Sequence, residues 1–321
     1  MLALAESDAT LLNLFGEARG PEALGDNEAV AERGTVPSWL GAELSPLVGI
    51  EEWPALLERA PLDLRVNVAR VSRDAILPQF EGAEATRLSP WGIRLPSDSR
   101  VDDHLAFAEG MIEVQDEGSQ LIALACSPLD GRSKVLDLCA GAGGKSLALA
   151  CAAPDAEILA TDSNRARLSK LGPRADRAGA LIAVRLLNPP HELEELSDVR
   201  GQADVVLVDA PCSGSGTWRR NPEGRWRLTP ERLDRVVALQ SRLLDLAAEL
   251  VRPGGRIVYA VCSLLFREGA GQIQDFLSPR SSWIVEETPI AAGRLDHVGK
   301  LLTPGHDGTD GFFVARLVRP C

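Results

Sequence analysis

From Lys134 onward the chain alternates short apolar runs with helix-forming stretches, and this alternation limits the fold more than any other feature. KVLDLC, EILATD, IAVRLL, ADVVLVDA and RIVYAVC read as strands, and GFFVARLV adds another near the end. ADVVLVDA is apolar almost throughout, as suits a strand covered on both faces of a parallel sheet. Helices are expected from about Ser146 to Ala152, from Arg165 to Ala178 and from Leu233 to Val251. The last is amphipathic through Leu233, Val236, Val237, Leu243, Leu244, Ala247 and Leu250, and Pro253-Gly254-Gly255 is expected to stop it. Alternating strand and helix units predict an α/β, doubly wound sheet over 129–321, with ligands bound beyond the carboxyl ends of its strands.

The preceding region has a different character. LDLRVNVARV alternates as a strand does, Ser72 offers an N-cap to a helix running towards Phe80, and segments around Ile93 and from Met111 to Val114 suggest further short strands. This predicts a small α+β domain over 36–128, joined to the next through the turn-rich Pro128-Leu129-Asp130-Gly131. Residues 1–35 are acidic and rich in Ala and Gly, and predict a peripheral extension with a helix from Leu11 to Phe15. The net charge is −12, but residues 1–125 carry 9 basic against 22 acidic side chains and the remainder 25 against 24. The acidity therefore sits in the N-terminal part, and the total does not exclude a polyanionic partner. No apolar stretch reaches 18 residues and the N-terminus lacks a basic start, so a cytoplasmic chain without a membrane span is expected. Six cysteines form no C-x-x-C pair, and the four histidines show no ligand spacing, so neither disulfide nor metal is expected.

VLDLCAGAGGKS places Gly141, Gly143 and Gly144 between a strand and a helix, where backbone approaches a ligand closely. Asp162 ends the next strand, 21 residues after Gly141, where a carboxylate can hold ribose hydroxyls. A phosphate-binding Walker loop requires glycine where Cys139 stands, and a dinucleotide fingerprint requires it where Ser146 stands. S-adenosylmethionine is the adenosine-bearing ligand that remains.

Two strand ends carry cysteines. VDAPCSGSG ends the fourth strand with Asp209 and Cys212, and VYAVCS ends the fifth with Cys262. Both ends open on the expected ligand crevice. Cytosine carbon 5 is a poor nucleophile, and its methylation needs a thiolate to add at carbon 6, an acid at nitrogen 3 and a base for the carbon 5 proton. A cysteine pair beside Asp209 suits that chemistry.

From about Pro37 onward the chain resembles the Sun-type RNA cytosine-C5 methyltransferases, a family that includes bacterial small-subunit rRNA methyltransferases of the B-like kind. PSWL, LRVN, VQDEGSQL, VLDLCAGAGGKS, VLVDAPCSGSGTWRRNP, VYAVCS and DGFFVARL fall in family order. The resemblance implies a seven-stranded class I S-adenosylmethionine-dependent methyltransferase domain behind a small RNA-binding domain. It implies Cys262 as the nucleophile, Cys212 as the cysteine that permits product release, and Asp209 as the acid near nitrogen 3 and the cofactor. For the cofactor site it implies Cys139, Ala140, Gly141, Ala142, Gly143, Gly144, Lys145, Asp162 and Arg167, with Asn188 nearest to the family's adenine-contacting acid. The chain departs from the family pattern at several points. Val261 replaces a usual Thr, Gly141-Ala142 replaces a frequent Ala-Pro, and LLFREGAGQ lacks Pro-x-Glu-Asn, with Glu268 and Gly269 at the Glu-Asn positions.

RNA, rRNA before tRNA, is the expected partner of a monomer. Between Ser213 and Arg242 seven arginines stand against three carboxylates, with Trp218 and Trp226 interleaved. Trp218, Arg219, Arg220 and Arg225 are the expected RNA contacts there, and Arg65 and Arg70 those of the smaller domain. A DNA enzyme would use Cys212 as nucleophile and need a downstream Glu-Asn-Val strand, which the sequence lacks. A non-catalytic RNA-binding factor keeping the fold is the other alternative, against which both cysteines speak.

Overall fold

A computed structural model describes residues 36–321, so the 1–35 extension and its expected helix lie outside the described residues. Two compact units are distinguished, Met1–Ala42 and Glu43–Cys321. In the first, Ser38–Gly41 forms one helical turn. Everything below belongs to the second.

Leu62–Val66 (β1), Glu84–Ala85 (β2), Gly92–Leu95 (β3) and Ile112–Val114 (β4) form an antiparallel sheet in the order β2-β3-β1-β4. Leu64, Val66, Ile93, Leu95 and Ile112 close a core on it, each such side chain contributing about 1.5–3 kcal/mol. The Ser72 side chain accepts from the Ala75 amide and caps a helix, as expected. That helix lasts only from Arg73 to Ile76 and passes into a 3-10 turn, Leu77–Gln79. Pro78 lacks the N–H that would continue it.

The larger sheet is built from Lys134–Asp137 (β5), Glu157–Asp162 (β6), Ala183–Leu186 (β7), Ala203–Asp209 (β8), Val251–Val261 (β9), Ile284–Glu286 (β10), Arg294–Asp296 (β11), Gly299–Leu302 (β12) and Phe312–Val318 (β13). Its order is β11-β12-β13-β9-β8-β5-β6-β7. β5 to β9 pair in parallel, and β13 is antiparallel to β9. The run from β7 to β12 makes the seven strands implied by the resemblance. The short β11 continues that edge, and β10 pairs the second half of β13, which brings the sheet to nine.

Helices Glu117–Leu124 (α1), Gly144–Ala152 (α2), Leu171–Ala178 (α3), Pro230–Leu250 (α4) and Ala270–Leu277 (α5) cover the sheet. The structure corrects two helix expectations. The stretch from Arg165 to Ala178 is two helices, Arg165–Leu168 and α3, because Pro173 cannot donate to the carbonyl of Ser169. α4 ends at Leu250, and Pro253-Gly254-Gly255 does not stop it but lies inside β9. There it bulges: β8 pairs Ala203 with Val251 and then Val205 with Arg256. Thr229 caps α4 by accepting from the Arg232 amide, and Pro230 fits the first turn.

Asn67 Nδ2 donates to the carbonyls of Gly110 (3.0 Å) and Ala178 (2.9 Å), tying the small sheet to α3. Among the described residues no helix is long and apolar enough to cross a membrane.

Candidate active site

A cavity of about 470 Å³ opens at the carboxyl ends of β5, β6, β8 and β9. Leu138, Cys139, Asp162, Asn164 and Arg167 line one side, Asp209, Cys212 and Cys262 another, and Leu239, Leu243 and Leu246 of α4 form an apolar wall. A wider groove of about 880 Å³ lies at the amino ends of β5, β6 and β8. In doubly wound sheets the carboxyl ends receive ligands, and only there do the predicted residues converge.

β5 runs into the glycine loop, and Gly141 takes φ +57°, the left-handed region that side chains rarely adopt. A Cβ there would sit 2.3 Å from the Arg167 guanidinium, which lies over the loop. The Gly141 amide donates to Asp162 Oδ2 (2.8 Å) and the Asn164 amide to Oδ1 (2.6 Å). Each carboxylate oxygen keeps acceptor capacity for a further donor. Asn164 Oδ1 in turn accepts from the Arg167 amide at 3.1 Å. The residues present fit an adenosine-bearing cofactor: a carboxylate for hydroxyls beside an apolar slot of sufficient volume. Asn188 is an exception. It is exposed, and its amide and side chain both donate to Glu195, whereas its neighbours Leu187 and Pro189 line the cavity.

Lys145 follows the loop and donates from Nζ to Asp209 Oδ2 at 2.6 Å, lying 5.4 Å above the Phe312 ring centroid. Burial alone would lower the Lys145 pKa, but Asp209 outweighs it and holds the ammonium above its ordinary value. Beneath the loop Asp137 is fully buried, and burial pushes it up to about 7 despite a 2.6 Å bond from Ser146 Oγ.

Cys212 and Cys262 bring their sulfurs to 3.3 Å. A disulfide is near 2.05 Å, and both are free thiols. Hydrogen bonding to Cys262, then burial, drives Cys212 well above the usual thiol range. The turns that carry them are locked together: the Gly216 amide donates to the Cys262 carbonyl (3.0 Å) and the Ala210 amide to the Ala260 carbonyl (2.9 Å). Val261 is fully buried and paired with Phe313. Gly269 abuts the same ring, where a Cβ would come within 2.9 Å.

The structure revises the expected RNA contacts. Trp218 is 2% exposed and has no free face for a base. Arg219 donates to Asp310 (2.6 Å) and Asp116 (3.4 Å), with its side chain 6% exposed. Arg220 binds the same two carboxylates at 2.6 and 3.1 Å. Arg65 is buried, spans Gln115 Oε1 (2.6 Å) and the Gly144 carbonyl (2.8 Å), and is lowered to about 10 by burial. Arg70 is exposed but donates to the carbonyls of Glu109 and Arg177. Arg225 is half-buried, with Nε and Nη1 unpartnered.

Three contributors stood in the sequence without a role assigned to them at the site. Arg242 lines the cavity and pairs with Glu192 at 2.7 Å. Arg232, Arg235, Leu239 and Arg242 recur at spacings that place them on one face of α4, and Arg232 and Arg235 are exposed. The amphipathic pattern of α4 carried that signal. Glu268, fully buried beside both cysteine turns, is the third.

A family model described as 16S rRNA methyltransferase RsmB/F matches residues 123–318. Ribosomal RNA small subunit methyltransferase B of Salmonella arizonae is 33% identical over 291 residues, 88% of this chain and 66% of the relative. The chain thus spans just under two thirds of the length of the curated relatives it matches. Among solved structures, the protein named PH0851 is similar with a TM-score of 0.80 and 28% identity, over 91% of this chain and 70% of that one. A methyltransferase homolog from Pyrococcus horikoshii is similar with a TM-score of 0.71 and 26% identity, over 84% and 90%.

Proposed function

Because this chain belongs to the 16S rRNA methyltransferase RsmB/F family, we propose that it methylates carbon 5 of a cytosine in ribosomal RNA, using Cys262 as nucleophile. The observation that carries the reading is the pair of free sulfurs 3.3 Å apart, beside a Lys145–Asp209 pair and a cavity able to take adenosine.

S-adenosylmethionine, when bound, supplies the methyl group to carbon 5. The chain's own residues do the rest. Asp162, Asn164 and Arg167 hold and orient the cofactor, and the α4 wall excludes water around it. Cys262 adds through sulfur to carbon 6, and the electron pair displaced from the ring double bond makes carbon 5 nucleophilic. Asp209 passes to nitrogen 3 the proton that Cys262 gives up and takes it back when the ring double bond re-forms, with Lys145, bonded to the same carboxylate, holding charge balance there. After methylation Cys212, having first released its own thiol proton to solvent, takes the carbon 5 proton as a thiolate, the ring double bond re-forms, and the sulfur–carbon 6 bond breaks with its electrons returning to Cys262. The ridge of Arg232, Arg235 and Arg242 supplies positive charge beside the cavity mouth.

The test is transfer of labelled methyl from S-adenosylmethionine into small-subunit RNA, with the product base identified after digestion. Label in 5-methylcytosine, lost in Cys262→Ala, supports the reading. Label in another base, or none with intact small-subunit RNA, sinks it.

A further inference from the structure

One buried carboxylate touches both cysteine turns. Glu268 lies between β9 and α5, wholly shielded from solvent. Its Oε1 accepts from the Ser213 amide at 2.8 Å and from Gln240 Nε2 at 3.0 Å. Its Oε2 accepts from the hydroxyls of Ser213 and Ser263, both at 2.5 Å. Ser213 and Ser263 directly follow Cys212 and Cys262. Gln240 of α4 also donates to the carbonyl of Pro211, the residue before Cys212, at 2.9 Å. The carbonyl of Glu268 is fixed as well, accepting from the Tyr259 hydroxyl at 2.7 Å.

A carboxylate buried without a cation costs several kcal/mol of lost hydration unless its lone pairs are filled. Here four donors fill them, and three come from the residues that carry the thiols forward. Deleting the carboxylate therefore leaves the Ser213 amide without its acceptor and leaves the two turns joined only by the Gly216–Cys262 and Ala210–Ala260 backbone bonds and by contacts among Ser213, Ser215 and Ser263, so that their fine register loosens. We infer that Glu268 is a positioning residue that registers the Cys212 turn against the Cys262 turn and so sets the separation of the two sulfurs. Its consequence for turnover rests on the reading above: the sulfur that takes the carbon 5 proton must reach the adduct formed by the other.

The separation itself can be measured without RNA. The full chain, with Glu268→Ala, Glu268→Gln and Ser263→Ala variants, is oxidised briefly with diamide. Two thiols lose their protons and two electrons, the diazene is reduced to the hydrazine, and the Cys212–Cys262 link is counted by mass spectrometry. The wild type should form this link fastest. Glu268→Ala should form it at least about tenfold more slowly, a loss of about 1.4 kcal/mol in populating the close geometry. Glu268→Gln should recover most of the rate, since its carbonyl accepts from the Ser213 amide while its NH₂ serves the serine hydroxyls. Equal rates in wild type and folded Glu268→Ala overturn the inference. If Glu268→Ala does not fold, Ser263→Ala, which removes one donor of the clamp, decides: a slower link supports it and an unchanged one overturns it. In a second arm, Glu268→Ala with cofactor and small-subunit RNA should accumulate a denaturation-resistant protein–RNA adduct. Normal release by that variant overturns the positioning role. A slowed disulfide with no methyl transfer by the wild type keeps the clamp and removes the RNA reading.

Discussion

Two neighbouring segments lie within one loop of chain after β8 yet came out oppositely. Cys212 at the end of β8 faces the cavity with its thiol unconsumed, whereas Trp218 and Arg219, a few residues on, turn into the protein and Arg220 is tied to the same carboxylates as Arg219. Both segments look equally functional in sequence, a cysteine in one and an aromatic-arginine cluster in the other. The difference lies in partners far along the chain. Asp116 and Asp310 converge on both arginines, while Cys212 Sγ meets the other cysteine and the Gly214 amide and no charged side chain bonds it.

The comparison breaks most visibly at the cysteines. Cys262→Ala should lose methyl transfer on the order of 10⁴-fold or more, the scale for deleting a covalent nucleophile, and form no adduct with RNA. Cys212→Ala should methylate once and stall, leaving protein bound to RNA through Cys262. Denaturing electrophoresis with substrate and cofactor separates the two. An adduct in Cys262→Ala and not in Cys212→Ala would exchange their roles.

The next effect tests the other segment, and it appears in stability instead of activity. Arg219→Ala leaves two buried carboxylates short of a cation, and should cost about 3–5 kcal/mol by denaturant unfolding. Arg220→Ala should cost less, since its side chain is 34% exposed. A change within experimental error for Arg219→Ala would mean that the network contributes little and that the arginine is free for RNA after all.

Smaller again is the cofactor contact. Asp162→Ala removes a carboxylate positioned for ribose and should weaken S-adenosylmethionine binding by about 1.5–3 kcal/mol by calorimetry. Because Asp162 also braces Gly141 and Asn164, Asp162→Asn separates the two roles: it keeps one acceptor for the loop and loses charge. Unchanged affinity in both variants would move the cofactor elsewhere.

Local signals made much of the fold legible. Apolar runs located β5, β6, β8, β9 and β13, and Ser72 was read correctly as a cap. The errors came where the local signal was ambiguous. Pro-Gly-Gly stops a helix as readily as it bulges a strand, and only pairing of Val205 with Arg256 decides between them. The candidate site was legible where strand ends present one residue at a fixed place, as at Asp162, Asp209, Cys212 and Cys262. It was illegible where function depends on what a side chain meets across a long loop. Asn188 is spent on Glu195, Arg65 on Gln115 and Gly144, and Glu268 gains its place only once both turns are folded.

The smallest expected effect concerns the arginines that stay free. Arg232 and Arg235 are exposed on the face of α4 that also carries the cavity residues Leu239 and Arg242. Exposed charges of this kind contribute little to folding, so the double variant Arg232→Ala, Arg235→Ala should keep its stability within about 0.5 kcal/mol. Phosphates met by these side chains release counterions, and each lost contact should flatten the dependence of log affinity on log salt by about 0.7 for single-stranded RNA. Binding titrations at several salt concentrations therefore give a slope lower by up to about 1.4, with cofactor affinity unchanged. Arg219→Ala, corrected for unfolded protein, should leave that slope alone because its guanidinium never faces solvent. The reverse pattern, a flat slope only in Arg219→Ala, would put the RNA face on the segment the fold has turned inward and remove α4 from it.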